Sequence, residues 1–300
     1  MKTGSTWDVV ATVKAPVEYV IKFVDVYRKL GASHIHLFYD DPAQSHAITG
    51  LDLTETVCNM PYWNGKRPRA LEKRQMANAT VAARSSTSDW IIHCDIDEHL
   101  HSKQSISQTL AEVPENCSCL IILPVEAVFS SRPASTADIF DTSYFKTIRA
   151  GWKPSVAFWS EIYGDMVKLS AAGFWGHRVG KSFIRRRNLS DLHSMPIHMP
   201  SGPPLTKMNP MKSKKITLRH YDALLPAEWH RKHLERITRE VLAIWAGDRR
   251  NEQSRLVADT LREDGLGRAL ELYDSMYVLT PSQIEVAVKA GTVCVIPPRI

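Results

Sequence analysis

The chain has 300 residues, of which 44% are hydrophobic and 23% charged, and its formal net charge is +6. This balance is typical of a globular protein with a large core and excludes disordered and fibrous chains. Its five cysteines do not have the paired spacing of zinc ligands, and we expect them to be small buried thiols. No apolar run is long enough to cross a bilayer, and no apolar signal segment begins the chain, so a cytoplasmic protein is expected, with the inner face of the cytoplasmic membrane as a further location.

The beginning of the chain predicts a strand, a helix and a second strand. Trp7–Val13 is rich in β-branched residues, Pro16–Gly31 has apolar residues at helical spacing, and His34–Tyr39 reads as the next strand. Such a βαβ unit implies a parallel sheet with a right-handed crossover. The basic excess favours anionic partners such as nucleotides or lipid headgroups.

Further elements follow in alternation. They are a helix at Pro68–Arg84, a strand at Trp90–Cys94, a helix at Ser105–Glu112, and strands at Cys119–Pro124, Lys181–Arg185 and Lys215–Tyr221. Between Val125 and Met211 the pattern weakens, and loops with short strands are expected there. From Pro226 the chain is predicted to be helical, first to Gly247, then from Glu252 to Met276, and finally from Pro281 to Ala290.

The alternation predicts an α/β fold with a mostly parallel central sheet flanked by helices. One domain with an appendage is predicted: residues 1–225 carry the sheet, and residues 226–300 form a helical C-terminal appendage packed on it.

The segment Trp90–Leu100 reads as a short, buried, strand-like apolar run that ends in Asp95 and Asp97, with Glu98 directly after them. Side chains alternate along a strand, so the two aspartates are expected on the same side of its end. Converging carboxylates repel each other unless a cation lies between them, and Mn²⁺ or Mg²⁺ would keep positions open for phosphate oxygens. The segment therefore predicts a site for a metal and a diphosphate, although such a triplet also occurs in solvated turns.

In this order the residues resemble glycosyltransferases of the GT-A fold, and among them the family 2-like group whose metal motif reads Asp-x-Asp-Glu. The matching segments are the Val9–Tyr39 unit, the Lys73–Asn78 stretch, the Trp90–Leu100 block, the Gly180–Arg185 strand and the His220–Tyr221 pair. Two segments depart from the family pattern: Lys14 and its neighbours replace the usual Asn-Glu, and residues 136–175 have no counterpart.

The resemblance implies a Rossmann-like nucleotide-diphospho-sugar transferase of the hexosyltransferase type, with inversion at the anomeric carbon. It implies a UDP- or GDP-sugar donor, a saccharide or glycolipid acceptor, and a place in surface polysaccharide or glycoconjugate synthesis. A nucleic-acid partner is not expected, whereas peripheral membrane contact is.

The resemblance also implies roles for the acidic residues. Asp40 would accept hydrogen bonds from the ribose or the base. Asp97 would bind Mn²⁺ or Mg²⁺ directly, while Asp95 would reach the metal through water or hold the ribose. Glu98 would contact the donor sugar or orient Asp97.

The cations and histidines receive roles in the same way. Lys14, Arg74 and Lys181 are candidate contacts to the donor phosphates, each with a solvated surface position as its alternative. The third metal ligand is expected to be His220, with His198 as the second choice.

The reaction also needs a base for the acceptor hydroxyl. Glu161 and Asp165 lie in the region expected to face the acceptor, and either could serve or could simply cap a turn.

Two other classes of protein compete with this interpretation. A metal-dependent hydrolase is one, because His93, Asp95, Asp97 and His99 alternate within one short span. A non-catalytic module that binds polyanions through the basic cluster Lys207–Arg219 is the other. A dehydrogenase and a P-loop enzyme are disfavoured, since neither Gly-x-Gly-x-x-Gly nor Gly-x-x-x-x-Gly-Lys occurs where these folds require it.

Overall fold

A computed structural model describes residues 4–45, 48, 52–148, 152–191, 194–200, 207–238 and 247–298. The chain divides into two compact units. The first comprises Met1–Pro124 and Val179–Leu218, and the second comprises Val125–Arg178 and Arg219–Ile300. The domain boundary predicted after residue 225 lies inside the second unit.

The strands, in chain order, are β1 Trp7–Val13, β2 His34–Tyr39, β3 Leu53–Val57, β4 Trp90–His93, β5 Glu98–Ser102, β6 Cys119–Ile122, β7 Pro124–Val128, β8 Tyr144–Lys146, β9 Lys181–Arg185, β10 Met211–Lys212, β11 Ile216–His220 and β12 Val293–Val295. The helices are α1 Val17–Lys29, α2 Leu71–Ser85, α3 Ile106–Ala111, α4 Thr136–Phe140, α5 Trp152–Tyr163, α6 Pro226–Thr238, α7 Gly247–Glu263, α8 Gly265–Tyr277 and α9 Pro281–Lys289.

The first unit is built on a sheet whose described strands run in the order β10, β6, β9, β4, β1, β2, β3. Strand β1 pairs in parallel with both β2 and β4, β2 with β3, and β10 with β6, while β9 is antiparallel to β4 and β6. The predicted α/β fold with a mostly parallel sheet is confirmed. The chain continues from β1 to β2 on one side and returns with β4 on the other, so the strand order reverses at β1.

Every residue of β1 is buried because helices cover both faces of the sheet. On one face, Phe23 and Tyr27 of α1 pack against the odd-numbered residues of β1. On the other face, α2 packs through Ala79, Ala82 and Ala83, whose small side chains allow a close approach to the strands. The face of β1 that carries Val10 thus sets the position of α2, and α2 carries several of the candidate site residues.

In the second unit, β8 pairs antiparallel with both β7 and β12. The prediction of loops with short strands between Val125 and Met211 is wrong for part of this region, because the helices α4 and α5 form there. Helix α4 begins with a capping box between Ser135 and Asp138. Helix α5 has a proline in its first turn, where a missing N–H is tolerated. The aromatic residues of α5 pack inside the unit and stabilise this helix, although its sequence has only a weak helical periodicity.

Several boundaries differ from the predictions. Strands β3 and β12 were not predicted, because each is short and lacks a clear alternation. The predicted helix from Pro226 is described as far as Thr238, and its remaining residues lie outside the described part of the chain. Asp264 separates α7 from α8, and α8 begins at Gly265, which has φ at +81°. All five cysteines are free thiols, and no described helix is long and apolar enough to span a membrane.

Candidate functional site

The site lies at the carboxyl edge of the parallel strands in the first unit. Strands β2 and β4 flank β1, and each is followed by a carboxylate, Asp40 after β2 and Asp95 after β4. Open α/β sheets bind ligands outside the carboxyl ends of their strands, at the point where the strand order reverses. The topology therefore places both predicted residues at the expected position for a ligand.

Asp40 is buried and binds two arginines. Arg74 donates to it through both Nε, at 2.7 Å from Oδ1, and one terminal nitrogen, at 2.9 Å from Oδ2. Arg67 lies 2.9 Å from Oδ1 and also donates to the backbone oxygen of Asp40. The fork-shaped guanidinium of Arg74 matches the two carboxylate oxygens, which fixes the orientation of Asp40.

The remaining nitrogen of Arg74 donates to two backbone oxygens, those of Pro68 at 2.9 Å and Arg69 at 2.6 Å. Its guanidinium is thus held on both sides by the protein. Arg74 was predicted to bind phosphate, whereas in this structure it holds Asp40 in place. Arg67, which the sequence did not single out, is the more exposed of the two arginines.

Asp95 is held in a similar way by three partners. Gln75 donates to its Oδ1 at 2.6 Å, and the Lys181 ammonium lies 2.7 Å from its Oδ2. Lys181 also lies 3.2 Å from the carboxylate of Glu98, which in turn accepts the backbone N–H of Asp95 at 2.8 Å. Lys181 and Glu98 are fully buried, while the Asp95 side chain is 26% exposed.

The charges in this cluster support one another. Burial by itself would raise the pKa of the Asp95 carboxyl, but the ammonium of Lys181 holds that pKa well below its usual range. Burial opposes the charge of Lys181 as well, yet the two carboxylates raise the pKa of its ammonium above the ordinary value. Burial and the nearby ammonium lower the pKa of His93 to about 3, so this ring is neutral at pH 7.

The predicted strand geometry of the two aspartates is wrong. Strand β4 ends at His93, and a turn leads to β5, which begins at Glu98. The turn is closed because the N–H of Glu98 donates to the backbone oxygen of Asp95 at 2.9 Å and the Glu98 carboxylate accepts the N–H of Asp95. Asp97 is buried within this turn. The two aspartates thus follow a strand but do not belong to one.

Helix α2 connects the ends of three strands. Its consecutive residues Arg74 and Gln75 bind the carboxylates after β2 and β4, as described above. One turn later, Asn78 is fully buried and donates to the hydroxyl of Thr12, near the end of β1, at 2.9 Å. The contribution of Gln75 was not predicted, because only the folded structure shows which strand end a helical side chain reaches.

The other predicted residues lie elsewhere in the two units. Lys14 directly follows β1 and is half-buried. His198 belongs to the first unit and His220, buried at the end of β11, to the second. Glu161, in α5, and Asp165, in the turn after it, are both exposed in the second unit.

The structure weakens both rival classes. The hydrolase required His93, Asp95, Asp97 and His99 on one strand, but the turn at Asp95 separates His93, in β4, from His99, in β5. In the basic cluster Lys207–Arg219, two of the cations bind the protein itself. Lys215 pairs with Glu112, and Arg219 donates to the backbone oxygen of Pro297.

No protein-family model matches the sequence, and no curated protein matches it. Among solved structures, the chain is similar to TarS 1-349 of S. aureus, at 12% identity, over 95% of this chain and 87% of that one, with a TM-score of 0.37. It is also similar to the mannosyltransferase PcManGT of Pyrobaculum calidifontis in complex with GDP-Man and Mn²⁺, at 11% identity, over 97% and 81% of the two chains, with a TM-score of 0.41. A third similar structure is GalNAc-T7 with UDP, GalNAc and Mn²⁺. The identity is 11%, the match covers 97% of this chain and 59% of that one, and the TM-score is 0.40.

Proposed function

We propose that this protein is a GT-A type glycosyltransferase that transfers a sugar from a nucleotide diphosphate donor to a hydroxyl acceptor. The observation that carries the proposal is the pair of held carboxylates, Asp40 and Asp95, on either side of β1 where the strand order reverses. Neighbouring strands are about 4.8 Å apart, so two strand spacings separate these positions by roughly 10 Å. That span suits a nucleoside at one end and its diphosphate at the other.

The contacts of each residue suggest its role. Asp40, oriented by Arg74, would accept a hydrogen bond from the base or the ribose. Lys181 and Gln75 occupy one oxygen each of Asp95, so Asp95 would meet a metal through water or hold the ribose. These residues would act by fixing the geometry of the bound donor.

The divalent cation would bind at Asp97, in the turn after β4. This residue offers a hard oxygen ligand at the carboxyl edge of the sheet, which Mn²⁺ and Mg²⁺ prefer. The family resemblance implies His220 as a further ligand, with His198 as the alternative. When bound, the ion would supply positive charge that stabilises the departing diphosphate.

Other details of the proposal rest on the family resemblance alone. They include inversion at the anomeric carbon, a saccharide or glycolipid acceptor, and a role in surface polysaccharide synthesis. Lys14 would approach a donor phosphate, and Glu161 or Asp165 would take the proton from the acceptor hydroxyl. Both carboxylates are exposed to solvent and so accessible to an acceptor.

A screen of UDP- and GDP-sugars for thermal stabilisation, with Mn²⁺ and with a chelator, tests the proposal. A donor at one hundred times its Kd should add about 2.7 kcal/mol of stability. The shift should require the metal and should vanish in Asp97→Asn. The matched control is Asp25→Asn, which removes a carboxylate on the surface of α1 that pairs with Lys29. If no nucleotide sugar stabilises the wild-type protein in either condition, the proposal fails.

A further inference from the structure

The first turns of α7 hold the segment of the second unit that ends at Arg178. Arg250 donates to the backbone oxygen of Trp175 at 2.8 Å, and Gln253 donates to the same oxygen at 3.0 Å. Gln253 also donates to the backbone oxygen of Leu169. These hydrogen bonds fix the start of α7 against this segment, and both belong to the second unit.

The two buried carboxylates of this region are compensated by partners of their own. Glu126 accepts hydrogen bonds from the Lys146 ammonium at 2.9 Å and from two backbone N–H groups at 2.9 Å and 2.5 Å. Asp222 accepts hydrogen bonds from Arg250 and lies 3.6 Å from the ammonium of Lys232. Further cations in the same region therefore need an anion from elsewhere.

Arg249, the residue before Arg250, is such a cation. Its side chain is half-buried and its Nε is fully buried, yet within the described residues its guanidinium forms neither a hydrogen bond nor a salt bridge. Burial, followed by the charge of Arg250, lowers the pKa of Arg249, although Glu126 acts in the opposite direction. A buried polar group without a partner calls for an explanation, and an ion bound at that place is one.

Arg178 supplies a second cation at the end of the held segment. It is half-buried, and its guanidinium carbon lies 5.9 Å from the centroid of the Phe174 ring. Burial and then the charge of Arg249 lower the pKa of Arg178, so the two guanidiniums act on each other. Like charges at a partly buried position repel each other strongly, and an anion between them would remove this repulsion.

We propose that Arg178 and Arg249 form a binding site for a phosphate group. A phosphate ester or diphosphate carries enough negative charge to compensate two guanidiniums, and its oxygens accept hydrogen bonds from two planar forks at once. A single carboxylate has one charge and would compensate only one of the two. Two sources supply this chemistry, the diphosphate of a nucleotide and a phosphate carried by an acceptor.

The phosphate site does not depend on the proposed function, because inorganic pyrophosphate contains neither a nucleoside nor a sugar. It does not depend on the proposed metal either. Asp97 belongs to the first unit, whereas both arginines belong to the second. A measurement with pyrophosphate and a chelator therefore tests the arginines alone, and the two proposals can fail separately.

Calorimetric titration of the full chain with inorganic pyrophosphate, in the presence of a chelator, tests the inference. The wild type should bind, and Arg249→Gln should bind about tenfold more weakly, the loss expected for one charge-assisted contact. Arg178→Gln should show a loss of similar size. Arg249→Lys keeps the charge but not the fork, so it should retain part of the affinity. Circular dichroism of each variant confirms that it is folded.

The matched control is Arg255→Gln, which removes an exposed arginine from the same helix. It should bind pyrophosphate as the wild type does. An equal loss in Arg255→Gln and Arg249→Gln would overturn the proposal, because net charge alone would then explain binding. Undiminished binding in both Arg249→Gln and Arg178→Gln, or no binding by the wild type, would overturn it as well.

The same titration with UDP or GDP present separates the two sources of phosphate. If either nucleotide competes with pyrophosphate for the arginines, the site binds the diphosphate of a nucleotide. If pyrophosphate binding is unchanged by both nucleotides but still lost in Arg249→Gln, the site binds a phosphate carried by the acceptor. Each result supports the phosphate site and identifies a different ligand for it.

Discussion

Gln75 and Asp95 are joined by a hydrogen bond of 2.6 Å, while the residue before Gln75, Arg74, binds the carboxylate of Asp40. Adjacent residues of a helix point about 100° apart, so one turn of α2 reaches two strand ends at once. A displacement of this turn would disturb both carboxylates together. The position of α2 is therefore part of the site, although the backbone of the helix carries no chemistry.

Replacing Arg74 by Gln removes the two N–H groups that orient Asp40 and leaves that buried carboxylate with Arg67 alone. Because breaking a buried ion pair leaves one charge poorly compensated, we expect the free energy of unfolding to fall by about 3 kcal/mol. Donor-dependent thermal stabilisation should weaken as well. Urea unfolding and the nucleotide-sugar screen measure the two effects.

The neighbouring substitution Lys73→Gln is the matched control, since Lys73 is exposed on the same helix turn. Its unfolding free energy should stay within about 0.5 kcal/mol of the wild type. A similar loss in both variants would show that charge on α2, rather than the contact with Asp40, stabilises the protein.

Replacing Lys181 by Met should destabilise the protein most between about pH 4 and pH 10. The folded pKa of Asp95 is depressed, so its contribution is present above its unfolded value of about 4 and is lost as the pH falls. The folded pKa of Lys181 is raised, so its contribution is present below about 10.5 and is lost as the pH rises through the folded value. Urea unfolding at pH 7.5 should show a loss of about 3 kcal/mol.

The same measurement at pH 3.5 supplies the check on Lys181→Met. Asp95 takes up protons more readily in the variant, so the difference from the wild type should narrow at acidic pH. A difference that stays constant between pH 7.5 and pH 3.5 would mean that Lys181 acts through packing rather than through its charge.

Gly180 precedes Lys181 at a point where β9 meets β6 closely. A Cβ atom placed on Gly180 would lie 2.1 Å from the backbone oxygen of Ile122. Because a strand backbone cannot yield easily, Gly180→Ala should cost about 1–3 kcal/mol, measured by urea unfolding. Gly267→Ala in α8 is the control, since nothing lies within 4 Å of that position, and it should stabilise by about 0.5–1 kcal/mol. Equal changes in unfolding free energy for Gly180→Ala and Gly267→Ala would contradict the close approach of Gly180 to the backbone of Ile122.

The sequence alone predicted the sheet strands that have a regular pattern. The bounds of β1, β2 and β9 agree with the predictions, because runs of buried β-branched and aromatic residues leave few alternatives. Helix α5 was not predicted, since its stability depends on tertiary contacts, those of Trp159 with Lys146 and of Tyr163 with Trp175, rather than on local periodicity.

For the candidate site, the sequence predicted which residues carry charge but not which residues they contact. Asp95 and Lys181 were both named, yet as a metal contact and a phosphate contact rather than as partners of each other. They are 86 positions apart, and only the antiparallel register of β9 beside β4 brings them together. Gln75 was not assigned a role because an uncharged side chain on a helix gives no local signal.

The second unit contains a buried ion pair whose removal gives a separate prediction. The Lys146 ammonium donates to Glu126 at 2.9 Å and to the backbone oxygen of Gly173 at 2.8 Å, and both charged side chains are fully buried. It also lies within 5.8 Å of the centroids of four aromatic rings, those of Trp159, Tyr163, Trp175 and Tyr277. Burial opposes its charge, but Glu126 raises the pKa of Lys146 above the ordinary value.

Lys146→Met should therefore lower the free energy of unfolding by about 3–5 kcal/mol, because Glu126 is left buried without its cation. Glu126→Gln/Lys146→Met should recover part of this loss, since no buried charge remains, and a double-mutant cycle by urea unfolding measures the coupling. Lys153→Met, at an exposed position of α5, should be nearly neutral. The cycle also needs the single variant Glu126→Gln. If the losses in unfolding free energy of Glu126→Gln and Lys146→Met simply add in the double variant, the aromatic surroundings rather than Glu126 hold Lys146 in its charged form.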